Sequence, residues 1–146
     1  MTADARLDVR DRLAAVPDRV ATAARSAVDT PVPPGEWGPS EVVRHLIAVE
    51  DEVWHARLRQ LASADRPTWP WVEPGPWQGA PGATLDELLA IFAGRRGETI
   101  AILDGFDDAT WSRTGIHATW GETGVVALMQ RAIDHDDEHI AGFAAQ

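Results

Sequence analysis

Residues 62–83, "ASADRPTWPWVEPGPWQGAPGA", constrain the topology of this chain more than any other stretch. At about 22 residues dense in Pro, Gly and Trp, the segment has no helical or strand pattern, and loops this long inside a domain are commonly functional. Helical patterns flank it on both sides. A connection of this length is too long for an antiparallel helical hairpin. It can travel the full length of a helix, so the two helices it joins are expected to run parallel.

Four helical stretches are predicted, and no strand pattern is found. The first spans residues 4–28 and is expected to break at Pro17, because proline lacks an amide donor and clashes inside a helix. It then reads as a short helix to Val16 and a second from Pro17 to Val28, with Val20, Ala24 and Ala27 inward. Helix two opens at Pro39, a favoured first position. In it, Val42, Leu46, Val49 and Val53 recur at three- and four-residue steps beside a second stripe of Val43, Ile47, Trp54 and Leu61. Helix three opens with "TLDE", where Thr84 and Glu87 form a capping box, and its inner face carries Leu88, Phe92 and Leu103. A second loop, 105–121, leads to helix four, expected from Glu122 to Phe143 with Val125, Met129, Ile133 and Ile140 inward. The expected fold is a single all-α domain over residues 1–146, a four-helix bundle of up-down-down-up connectivity.

Composition narrows the chemistry. The net charge of −10 argues against nucleic acid and anionic membranes as partners. No apolar run reaches the roughly 18 residues of a membrane span, and the charged N-terminus lacks a signal core. A cytoplasmic protein is expected. Every basic residue is Arg, and there is no Cys or Tyr. Schiff-base chemistry on lysine, disulfides and a protein thiol nucleophile are therefore excluded. Chemistry must come from His, carboxylates, Arg, hydroxyls or a bound cofactor.

Near the end of helix four, "RAIDHDDEHI" places His135 and His139 one turn apart at the edge of the apolar stripe. That spacing lets two imidazoles bind one metal, but it also suits two partly buried histidines with no ion. His45, in "EVVRHLIAVED", sits at the edge of a stripe near the start of helix two. With helices two and four antiparallel, the three rings meet at one end of the bundle, in a mouth that Trp37 and Trp77 would roof as substrate-pocket residues. Three histidines with an open position is the geometry of a catalytic divalent ion. Asp136 points inward, either orienting a ligand imidazole or pairing with a buried arginine. Glu50 and Arg96 lie at equal depth on the parallel helices two and three and are expected to form a structural ion pair. His55 falls outside the inner arcs and is expected to be exposed. His117, in the loop before helix four, is expected away from the metal end.

The stretches "EWGPSEVVRHLIAVED", "TLDELLAIFAGRRGETIAIL" and "WGETGVVALMQRAIDHDDEHIAGF" together resemble the DinB/YfiT-like superfamily, over residues 7–143. The "PPGEW" approach is similar to the N-terminal domain of mycothiol-dependent maleylpyruvate isomerases, a branch of that superfamily. The resemblance implies a four-helix bundle, a divalent metal (zinc or nickel) on His45, His135 and His139, and a homodimer. It implies a metal-dependent enzyme acting on a small molecule: an S-transferase using a low-molecular-weight thiol as cosubstrate or, alternatively, a hydrolase. A non-catalytic metal- or ligand-binding bundle is the reading from a different class.

Overall fold

The computed structural model describes residues 2–144. Helix α1 (Ala3–Ser26) is capped by Thr2, whose hydroxyl accepts from the Ala5 amide at 3.1 Å. Next come α2 (Pro39–Val49), a π-helical stretch (Glu50–His55) and α3 (Ala56–Ser63), which together form one long rod. The long connection follows, then α4 (Leu85–Asp104), with the Glu87 amide donating to the Thr84 hydroxyl at 3.1 Å. A short α5 (Asp108–Trp111) precedes α6 (Val125–Ala144). The fold is a four-helix bundle, and no helix among the described residues is long and apolar enough to cross a membrane.

Cross-helix polar pairs give the helix directions. On α1 and α6, Arg12 pairs with Gln130 and Arg19 with Asp137, so numbers rise together and the helices are parallel. On α1 and α4, Arg10 meets Asp104, whereas Arg25 meets Asp86, which is antiparallel. The rod and α4 run parallel, with Asp51 on Arg95 and His55 on Thr99. The order is up, down, down, up.

Three features depart from the sequence reading. Helix α1 is unbroken, with Pro17 inside it. Pro17 leaves the Leu13 carbonyl without its helical donor, and the buried Arg96 guanidinium donates to that carbonyl at 3.0 Å. Tertiary structure thus supplies the bond that proline removes. Second, the π-helical stretch widens one turn and shifts the register behind it, which buries Val53, Trp54 and His55 in succession. His55, expected to be exposed, is 1% exposed, with Nε2 2.9 Å from the Arg95 carbonyl.

The third departure is a small sheet. Strand β1 (Thr68–Trp69) lies parallel to β2 (Thr114–His117), which forms a hairpin with β3 (Gly121–Gly124). Helix α6 therefore starts at Val125, not Glu122. The sheet ties the long connection to the loop before α6. The Trp69 ring lies so close over Gly115 that a Cβ there would overlap it, and the indole N–H of Trp69 donates to Gln60 at 2.7 Å.

The core has two apolar clusters. One holds Val9, Leu13, Val53, Leu58, Met129 and Ile133; the other holds Val16, Val20, Leu46, Ile47, Phe92 and Phe143. A charged knot separates them. The Arg96 guanidinium reaches Glu50 at 2.6 Å and Asp136 at 2.7 Å, and Thr99 donates its hydroxyl to Glu50. Burial pushes the Glu50 carboxyl up, but Arg96 more than offsets this and holds it below its ordinary value. Asp136, sharing the same guanidinium, is pushed up to about 7 by burial and by the Glu50 charge, against the pull of Arg96.

Candidate metal centre

His45 projects from α2, and His135 and His139 from consecutive turns of α6. One ring nitrogen from each lies within 4.8 Å of the others. The antiparallel run of α2 and α6 makes this possible, since it brings the start of one to the end of the other. The Nδ1–H of His45 donates to the Pro74 carbonyl at 2.7 Å, because a proline carbonyl can only accept. That bond fixes the tautomer and leaves the Nε2 lone pair facing His135 Nε2 at 3.3 Å. Two nitrogens bound at zinc–imidazole lengths in a tetrahedron are themselves about 3.3–3.4 Å apart. The donor set therefore fits a divalent ion.

The electrostatics agree. Burial, with His139 and His45 adding to it, depresses the His135 pKa to about 4. Burial likewise lowers His139, while Glu138 and Glu73 pull it back up. Neutral imidazoles are the form a metal requires.

The rings stand at one end of a cavity of about 400 Å³, within the range of small-molecule sites. It is not the end-on mouth the sequence suggested. It runs down the groove between α2 and α6, past Val49, Val53 and Trp54 on one side and Glu138, His135 and Arg131 on the other. Residues 71–74 of the long connection cover it. At the far end stand His117, Trp120 and Arg57. His117 does stand away from the three histidines, but the sheet brings its strand to the wall of the same cavity.

His117 is 1% exposed, and its ring stacks on Trp120 at 3.9 Å between centroids. Its Nδ1 accepts from the Thr119 amide at 2.9 Å and from the Trp120 amide at 3.3 Å. The proton of the neutral ring is therefore on Nε2, which is buried with no partner among the described residues. A donor left in that state costs about 1–3 kcal/mol. Burial, reinforced by Arg57 and Arg131, lowers the His117 pKa and keeps the ring neutral.

The remaining sequence-predicted residues are placed as follows. Glu50 and Arg96 meet in the knot. Asp136 points into that same knot and bonds Arg96, not a histidine, so it does not orient a ligand ring. Trp37 packs beside His45 at 5.1 Å between ring centroids, while Trp77 lies against the second apolar cluster and does not line the cavity. The indoles that do line it are Trp54, Trp71 and Trp120. Periodicity could not identify Trp71, which is in the long connection, or Trp120, which follows a four-residue strand. A second acidic and histidine group, Asp51, His55 and Glu98, lies outside the cavity, and its Asp51 is already paired with Arg95 at 2.9 Å.

Comparison with known proteins accords with this architecture. Among solved structures, the chain is similar to YfiT from Bacillus subtilis, described as a probable metal-dependent hydrolase with an unusual four-helix bundle topology. The two share 20% sequence identity at a TM-score of 0.76, over 99% of this chain and 87% of YfiT. No curated protein matches the chain. The family model of the DinB superfamily matches residues 2–141, so the chain belongs to the DinB superfamily.

Proposed function

We propose that this protein is a metal-dependent enzyme acting on a small molecule, with a divalent ion, zinc or nickel, held by His45, His135 and His139. The observation that carries the reading is the convergence of three ring nitrogens within 4.8 Å at the end of a cavity large enough for a substrate. An ion held there supplies Lewis-acid activation of a nucleophile. Pro74 keeps the His45 ring in its ligating tautomer. Burial keeps His135 and His139 deprotonated. Glu73 and Glu138 line the same end of the cavity, where a carboxylate can take the proton of an attacking water. Trp54, Trp71 and Val53 supply apolar walls for the body of the substrate.

Hydrolysis is the reaction class this arrangement supports best, and the likeness to YfiT points the same way. Transfer to an external thiol would use the same open position, and a chain without cysteine needs that thiol from outside. Metal analysis after reconstitution tests the assignment. About one zinc or nickel per chain is expected in the wild type, and near zero in His45→Ala, His135→Ala and His139→Ala. Stoichiometric metal surviving all three substitutions overturns it. Turnover of ester and amide substrates by the loaded protein, compared with turnover of electrophiles given a low-molecular-weight thiol, separates hydrolase from transferase. A loaded protein inactive in every assay is a binding module.

A further inference from the structure

The far end of the cavity, away from the three histidines, holds the most unusual side chain in the protein. Arg57 is 5% exposed, yet no carboxylate lies within ion-pair distance of it among the described residues. It is held between the rings of Trp54 and Trp69, at 5.9 and 5.7 Å, and donates through Nη2 to the Pro70 carbonyl at 3.0 Å. Buried arginines are ordinarily paired with an acid. The other deeply buried arginine, Arg96, has two.

Two further groups share this end. The buried Nε2–H of His117 is a donor with no partner among the described residues. The Arg131 guanidinium lies over the Trp120 ring at 4.4 Å and makes no ion pair among the described residues. The carboxylates lining the cavity are elsewhere or engaged. Glu73 and Glu138 act on His139, at the opposite end, and Asp134 accepts from Gln130 at 2.9 Å. The cavity is thus polarised, with imidazoles and acids at one end and arginines and an N–H donor at the other.

We infer that Arg57, Arg131 and the Nε2–H of His117 form a binding site for the carboxylate of the substrate, fixing its far end while its reacting group lies at the histidines. This names the substrate class for the reading above and rests on it for the identity of the cavity, but not for the metal. A carboxylate supplies what each group lacks: a charge for two guanidiniums and an acceptor for the imidazole N–H. Indole walls between the two ends suit an apolar, flat body. The substrate is therefore a small carboxylate whose scissile or electrophilic group is separated from the acid by an apolar segment.

Binding to metal-free protein tests this without passing through catalysis. Phenylacetate and 3-phenylpropionate are titrated against chelator-treated protein, followed by tryptophan fluorescence and calorimetry, with phenylacetamide as the neutral isostere. At least one acid is expected to bind with Kd below about 10 mM, and the amide roughly tenfold more weakly. Arg57→Gln is expected to remove most of that preference and Arg131→Gln part of it, while His45→Ala leaves it unchanged. Arg131 is exposed, so its variant stays informative if Arg57→Gln fails to fold. Equal binding of acid and amide, no binding of either acid, or an acid preference that survives Arg131→Gln and every folded Arg57 variant overturns the inference. So does carboxylate binding that requires metal or is lost in His45→Ala, because the histidine end would then hold the acid. Failure of the metal assignment alone leaves the expected result on metal-free protein intact.

Discussion

Two buried arginines divide this molecule. Arg96 sits at the bundle centre with both carboxylates it needs and a backbone carbonyl as well. Arg57 sits at a cavity wall with one carbonyl, two indole faces and no acid. Both are taken out of water, yet only one is electrostatically complete inside the chain. The pKa directions express the contrast: Arg96 is raised because Glu50 and Asp136 overcome its burial, whereas Arg57 is lowered by burial alone. A complete buried charge cluster fixes how helices seat on one another. An incomplete one at a cavity is available to something from outside.

The contrast breaks most sharply in stability. Arg96→Met leaves two carboxylates and the Leu13 carbonyl buried without their donor, and is expected to lower stability by about 3–5 kcal/mol. Arg57→Met strands no carboxylate and replaces a desolvated cation by an apolar chain. It is expected to stay within about 1 kcal/mol of wild type, losing only the ring contacts and one hydrogen bond. Urea unfolding of the two variants reads both values. A large loss for Arg57→Met, or a small one for Arg96→Met, erases the distinction.

The sequence was informative wherever function depended on helical period. Apolar steps located the four helices, and the length of residues 62–83 implied a parallel pair. Together these bring His45 to His135 and His139, and Glu50 to Arg96. It was uninformative wherever one part of the chain compensates for another. Pro17 reads as a helix break, because nothing near it in sequence shows that Arg96, far along the chain, will bond the Leu13 carbonyl. His55 reads as exposed, because a regular helix cannot anticipate the register shift of a π-helical turn. His117 lies in a strand of four residues, too short for alternation to register, and its place is set by pairing with β1. Arg57 on its helix looks like any other surface arginine. The polar half of the cavity was hidden because His117 comes from a short strand, while Arg57 and Arg131 sit on helices whose period does not mark either arginine as facing a cavity.

The sheet that brings His117 to Arg57 depends on one close approach. At Gly115→Ala the new methyl overlaps the Trp69 ring, which must move or push β2 outward. Overpacking of this kind is expected to cost about 1–3 kcal/mol. More tellingly, Trp69 is also the face on which Arg57 rests, so the arginine end should loosen while the histidine end does not. Metal uptake is expected to stay at wild-type level as carboxylate binding falls. Equal loss of both would mean that the two ends of the cavity are not independently built.

The smallest effect is a pH dependence, and it addresses the incompleteness of Arg57 directly. The His117 pKa is held below its ordinary 6.5 by burial first, then by the positive charges of Arg57 and Arg131. Below about 6.5 the unfolded chain takes up a proton at this residue that the folded protein refuses. Stability contributed by neutral His117 is therefore present above that pH and is lost as pH falls through it. His117→Asn keeps an acceptor for the Thr119 amide but does not titrate. It is expected to flatten part of the decline in stability between pH 7.5 and 5, roughly the interval over which a histidine changes charge. Arg57→Met should act in the same direction through His117, because one of the two cations opposing protonation is gone while the burial remains. The imidazole titration, followed by NMR, should then move upward toward the ordinary value. If His117 titrates unchanged in Arg57→Met, the guanidinium charge is already neutralised by a group inside the chain, and Arg57 is as complete as Arg96.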